Sequence, residues 1–178
     1  MKRLDPKTLV FTGLLIALGL ALPQVTAHIP ELGRRLLPMH IAVLIAGFVV
    51  GPRWGLVVGF ITPLLSSLIF GSPPLIPTAV AMAFELAAYG CLTGVFYSLL
   101  PARRLSIYVT LIASMIGGRI VWGLSTLTLY GITGGAFTWQ MFVSGAVINA
   151  IPGIVLQLVV IPFVIMSLQK GGYLGVRG

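Results

Sequence analysis

Six apolar runs separated by proline, glycine or charge organise this chain, and each reads as a helix. The first spans about 8–26. A loop carrying Pro23, His28, Pro30, Glu31, Arg34, Arg35 and Pro38 follows it. The second covers about 39–50, short for a membrane span, and ends at Gly51-Pro52-Arg53. The third runs about 54–70, up to Gly71-Ser72-Pro73-Pro74, and the fourth about 76–100, up to Pro101-Ala102-Arg103-Arg104. The fifth occupies about 106–130, ending in the glycines between Gly131 and Gly135. The sixth covers about 138–168, long enough to tilt or to kink at Pro152 or Pro162. Strands of a membrane barrel would be ~10 residues long and would alternate in polarity. These runs are longer and apolar on all sides, so they predict an all-α bundle.

Composition says which solvent the bundle meets. Of 178 residues, 58% are hydrophobic and 8% charged, against about 25% charged in a soluble domain. A membrane span needs ~20 mostly apolar residues, so six spans consume most of the chain. The expectation is one integral membrane domain over 1–178 with short loops. Lys2 to Leu22 has the basic start and apolar stretch of a signal peptide. It lacks a small-residue cleavage site and further spans follow, so it reads as a retained first helix.

The net charge of +8 then becomes a statement about topology. With the N-terminus inside, the inner segments hold Lys2, Arg3, Lys7, Arg53, Arg103, Arg104, Lys170 and Arg177. The outer segments hold Arg34 and Arg35. Lys and Arg gather on the cytoplasmic side of membrane proteins, which predicts N-in, C-in. The basic residues form no helix face and carry no aromatic platform, so nucleic-acid binding is not expected. Cys91 is the single cysteine, which excludes an internal disulfide and a cysteine-based metal site.

Ionisable groups inside spans are costly and mark function or packing. Glu85 lies in the fourth run and Arg119 in the fifth, with Asn149 the strongest neutral polar group of the sixth. Counted along unbroken helices, all three lie roughly 14 to 17 Å below the outer ends. An acid, a base and an amide in one layer predict a polar pocket for a small molecule; the alternative is an ion pair that only fixes packing. Helical spacing adds Tyr89 and Met82 near Glu85, and Trp122 and Ser125 near Arg119. Phe142, Gly145 and Ala146 share a face with Asn149. His40 is a further candidate, at the start of the second helix beside the outer loop. Ser66 and Ser67 are candidates for the mouth, and Gln157 for a packing amide. No metal site is expected.

Gly13, Ala17 and Ala21 recur every four residues on helix 1, a smooth stripe that lets helices approach closely in lipid. It serves internal packing or docks another membrane protein. No phosphate-binding loop, H-E-x-x-H or G-x-S-x-G occurs, and no internal inverted repeat is legible. The chain is therefore expected not to be an enzyme, to bind no cofactor, and to need a motor from elsewhere.

Two motifs carry a family resemblance. Helix 1 has Ala17-x-x-x-Ala21. The stretch Pro38 to Gly55 ends in Ala46-Gly47 and Gly51-Pro52-Arg53-Trp54-Gly55. With the six-span size, the chain resembles the substrate-binding S components of energy-coupling factor (ECF) transporters, over nearly its whole length. The resemblance implies capture of a vitamin or vitamin precursor near the outer face, under a gate formed by Gln24 to Pro38. It implies docking through Ala17 and Ala21 onto a membrane T component with two cytoplasmic ATPases, which use the ATP. It also implies residence in a prokaryotic plasma membrane. The alternatives are a self-sufficient proton-coupled transporter using Glu85, a membrane enzyme, and a purely structural subunit.

Overall fold

The computed structural model describes residues 5–26, 35–101, 103–172 and 174. Among them the regular structure is helical throughout: α1 (Pro6–Thr26), α2 (Pro38–Phe70), α3 (Val80–Leu99), α4 (Arg104–Thr133), α5 (Trp139–Ala146) and α6 (Ile151–Lys170). Five stretches are long and apolar enough to cross a membrane: Pro6–Thr26, Pro38–Phe70, Leu75–Leu99, Arg104–Thr133 and Trp139–Lys170. Leu14, Ile116, Leu124, Val155 and Phe163 stand more than half exposed. That outward apolar surface is what lipid, rather than water, would cover.

The start of α1 follows from Asp5. Its carboxylate accepts from the Lys7 backbone N–H at 3.2 Å, and Pro6 opens the helix where a missing N–H costs nothing. α2 contains both the second and the third expected runs. Inside it Gly51 leaves helical geometry at φ 81, ψ −178, a region that only glycine enters readily. A Cβ on Gly55 would lie 3.0 Å from the Gly47 Cα, whereas eight residues of straight helix rise about 12 Å. The chain therefore turns back on itself at Gly51, and residues 38–50 and 52–70 are two packed arms.

Both arms pack on α3, in opposite senses. His40 lies beside Glu85, and Gly47 approaches Gly90 and Thr93, so the first arm runs parallel to α3. Gly55 meets Gly90 and Gly59 meets Leu86, so the second arm runs antiparallel to it. A Cβ on Gly59 would lie 2.1 Å from the Leu86 carbonyl oxygen, and one on Gly90 2.1 Å from that of Gly55. These backbones touch, which maximises van der Waals contact where lipid removes the hydrophobic drive between helices. α4 returns antiparallel, with Gly117 against Leu92 and Gly118 against Tyr89. α1 lies outside the hairpin, where Gly19 meets Thr62 and Ala42. The core centres on Val43, Leu44, Ala46, Val58, Leu86, Leu111, Ile161 and Ile165.

One expectation about helix continuity is corrected. The fourth run, expected over about 76–100, is helical over Leu75–Leu99, and its opening segment Leu75–Ala79 is a wide turn with Ile76 extended at φ −118, ψ 132 before α3 begins at Val80. Pro77 accounts for this, since a proline pushes the preceding residue out of helical geometry. The expected sixth helix over 138–168 is broken into α5, a tight turn at Ile148–Ala150, and α6. Pro152 would clash with the Ile148 carbonyl in an unbroken helix, but fits the first turn of a new one. Pro162, by contrast, stays inside α6.

Candidate functional site

Three helical segments bring four polar side chains together. Glu85 and Tyr89 sit one turn apart on α3, Arg119 comes from α4, and His40 from the first arm of α2. Arg119 Nη1 lies 2.9 Å from Glu85 Oε1, and His40 Nε2 lies 3.5 Å from the same oxygen. The Tyr89 hydroxyl also addresses the Glu85 carboxylate, and the Tyr89 and His40 rings meet edge to face at 5.4 Å. Glu85, His40 and Tyr89 are at most 2% exposed, and the Arg119 side chain 13%.

Such a cluster is expensive to bury, and the surrounding backbone makes room for it. A Cβ on Gly118 would fall 2.5 Å from Tyr89 ring carbons, so glycine at 118 creates the slot that lets Tyr89 lie flat on α4. Charge is balanced between Glu85 and Arg119, which repays part of the desolvation cost of each. Hydrogen bonding is not balanced. His40 Nδ1 and Arg119 Nε lack a hydrogen-bond partner, and His40 Nε2 has only its 3.5 Å approach to Glu85 Oε1. Buried polar atoms of that kind are rare in folded proteins, and their gathering around one carboxylate makes this cluster the candidate site. Among the described residues no group of three His, Cys, Asp or Glu side chains gathers as a metal site.

The other candidates lie elsewhere. Trp122 joins an aromatic group between α4 and α5. Its ring is 5.8 Å from Phe137 and 6.1 Å from Phe142, and Phe142 stacks on Trp139 at 5.3 Å. Gly145 lies against the Trp122 ring and Gly123 against that of Phe142. Asn149 sits in the Ile148–Ala150 turn, exposed, its amide donating to Ser144 Oγ at 3.3 Å. The depth count for Asn149 assumed an unbroken helix, and the break before Pro152 removes that assumption. The structure thus brings acid and base together and leaves the amide apart. Ser66 is buried and donates to the Ser72 carbonyl at 2.7 Å, so it fastens the turn after α2. Gln157 is buried on α6. His28 and most of the expected gate fall in 27–34, outside the described residues.

Small residues divide into two sets. On α1, Thr12, Leu15 and Gly19 are buried inward, while Gly13, Ala17 and Ala21 face outward, and nothing lies within 4 Å of a Cβ added at Gly13. The inward contacts were not foreseen, and neither were those of Gly47, Gly55, Gly59, Gly90 and Gly94. Their signal was present: Gly47, Gly51, Gly55 and Gly59 recur every four residues, as do Gly90 and Gly94.

Among the described residues the geometry is thus that of a helical protein with an apolar outer surface and a buried cluster of ionisable side chains. No curated protein and no solved structure matches the chain. Residues 7–165 match the family model of the ECF transporter substrate-specific component. That match takes in every residue of the cluster and the α1 stripe, and it identifies the chain as a multi-pass membrane transport component belonging to the substrate-specific components of ECF transporters.

Proposed function

We propose that this chain captures a small vitamin or vitamin precursor from outside and delivers it inward, with a membrane T component and two ATPase subunits supplying the drive. The observation that carries the reading is the cluster of Glu85, Arg119, His40 and Tyr89, buried among helices of a chain that belongs to this family. The ligand is held there. A neutral ion pair with unpaired nitrogens beside it suits a compact polar molecule with both donors and acceptors, its ring or chain resting against Tyr89. Trp122 contributes from the neighbouring aromatic group. Asn149 enters the ligand shell only if α5 and the following turn close inward.

Each arm of α2 counts as one span in this reading, for six in all, with both termini inside a prokaryotic plasma membrane. The outward stripe of Gly13, Ala17 and Ala21 docks the T component. Its exposure supports that role over internal packing, which Gly19 and Leu15 serve instead.

The test is mass spectrometry of small molecules released from the detergent-purified chain. The parent, His40→Gln, Tyr89→Phe and the double variant Glu85→Gln/Arg119→Met are compared. One vitamin-like compound is expected in the parent, reduced at least about tenfold in the double variant, a loss of roughly 1.4 kcal/mol or more. His40→Gln and Tyr89→Phe, which fill the same volume, are expected to weaken retention without altering melting. A compound held equally by all four chains would remove this cluster from the site.

A further inference from the structure

A second polar feature lies away from the buried cluster. A cleft of about 440 Å³ opens where the start of α4 meets the end of α6, lined by Arg104, Phe163, Met166, Ser167, Gln169 and Lys170. We propose that it binds the phosphate headgroup of an anionic glycerophospholipid, Arg104 and Lys170 holding the phosphate while an acyl chain lies along Phe163 and Met166.

Charge argues first. The chain's acids are Asp5, Glu31 and Glu85. None lines the cleft, and Glu85 is committed to Arg119. Arg104 and Lys170 therefore face the cleft with no acidic partner among the described residues. Arg suits a phosphate through paired N–H groups and Lys through a point charge.

The backbone adds to this. α4 begins at Arg104 with no side-chain cap and no acid in its first turn. The Ser106 N–H is taken by the Arg103 carbonyl at 3.0 Å, which leaves the Arg104 and Leu105 N–H groups and the positive end of the dipole for an anion. Two other polar side chains are already engaged. Ser167 Oγ donates to the Phe163 carbonyl at 2.8 Å, and Gln169 Nε2 to the Tyr97 hydroxyl at 2.7 Å. They shape the wall rather than compete for the anion.

A lipid is favoured over a free anion by what lies below the charges. Phe163 is 70% exposed and stands seven residues before Lys170, about 10 Å along the helix. The cleft is thus cationic at its rim and apolar beneath, the profile of a headgroup region above acyl chains. Basic pockets between membrane helices recognise anionic headgroups on this physical basis. Arg53 and Arg103 belong to the same end of the bundle, since Gly94 near the end of α3 packs on Pro52. They offer a control for bulk charge.

Native mass spectrometry in detergent tests this, with phosphatidylglycerol and phosphatidylcholine of matched acyl chains added in equal amounts. The parent is expected to retain phosphatidylglycerol at least about tenfold over phosphatidylcholine. Arg104→Gln/Lys170→Gln should lose that preference, and Arg53→Gln/Arg103→Gln should keep it. All four side chains are peripheral, so both variants should melt with the parent. Equal retention of the two lipids overturns the proposal, as does an unchanged preference in the cleft variant or an equal loss in the control. Millimolar inorganic phosphate serves as the free-anion probe. If it displaces the lipid and raises the parent's melting temperature but not the cleft variant's, the site belongs to a soluble phosphate and the lipid assignment fails. None of these readouts depends on the captured solute, so the proposal stands or falls apart from the buried cluster.

Discussion

Glu85 is a carboxylate held away from water by three packed segments, and its stability there depends on Arg119. Removing one member of a buried pair leaves an uncompensated charge, which costs about 3–5 kcal/mol. Removing both charges with side chains of similar size is often neutral. Arg119→Met alone is therefore expected to lower unfolding stability in detergent by about that amount, and Glu85→Gln/Arg119→Met to recover most of it. Denaturant titration of the parent, both single variants and the double variant closes the cycle. Additive effects would mean that the 2.9 Å approach contributes nothing to stability. This cycle reads folding, and ligand retention by the same double variant reads function. A double variant that folds like the parent yet retains no solute assigns the pair a binding role beyond packing. His40 sharpens the point at this scale. Its Nε2 has only the 3.5 Å approach to Glu85 Oε1 and its Nδ1 has no hydrogen-bond partner, although it is only 2% exposed, so a purely structural role leaves much of its chemistry unused.

At the scale of the element, glycine decides how closely helices can lie. Alanine at Gly90 or Gly59 puts a methyl 2.1 Å from a backbone carbonyl oxygen of the facing segment. Backbone cannot rotate aside as a side chain does, so each change should destabilise by about 1–3 kcal/mol through overpacking. Gly13→Ala meets nothing within 4 Å and should stay within about 0.5 kcal/mol of the parent. The same denaturant titration checks all three, and a Gly90→Ala variant as stable as Gly13→Ala would contradict the close approach. The stripe on α1 has a separate readout. Ala17→Phe should leave folding and ligand retention intact and abolish co-purification with the T component. Much of this element structure was legible in the chain. The apolar runs marked the helices, and Gly51-Pro52-Arg53 marked the reversal. What escaped depended on partners not adjacent in sequence. Pro152 was visible as a kink, but a proline can sit inside a helix, as Pro162 does, or begin one. Which occurs is settled by packing at the Ile148–Ala150 turn. Asn149 was assigned to the Glu85 layer by counting rise along a helix that proves to be interrupted. The count for Glu85 began at Ile76 and so also crossed the irregular Leu75–Ala79 turn; what the structure shows directly is the 2.9 Å approach of Arg119 to Glu85.

For the whole molecule, the arrangement of charge sets which face meets the outside. Arg53 at the α2 reversal, Arg104 at the head of α4 and Lys170 at the foot of α6 lie toward one end. The aromatic group of Trp122, Tyr130, Phe137, Phe142 and Trp139 lies toward the other end of α4. The first arm of α2 runs parallel to α3, so His40 near its start and Glu85 sit on the aromatic side of the bundle, away from Arg53 and Arg104. If Lys and Arg stay in the cytoplasm, the buried cluster faces the outside through the aromatic end, as capture from outside requires. Cys91 is the chain's single cysteine, which makes the orientation measurable. In a Cys91→Ser background, Ile132→Cys places a thiol where the native side chain is 77% exposed at the aromatic end. Arg53→Cys places one at the basic end, where the native residue is also exposed. A membrane-impermeant maleimide should label residue 132 in intact cells and residue 53 only after the membrane is opened. The opposite pattern would point the cluster toward the cytoplasm. Capture from outside would then fail on geometry alone, whatever the cluster binds.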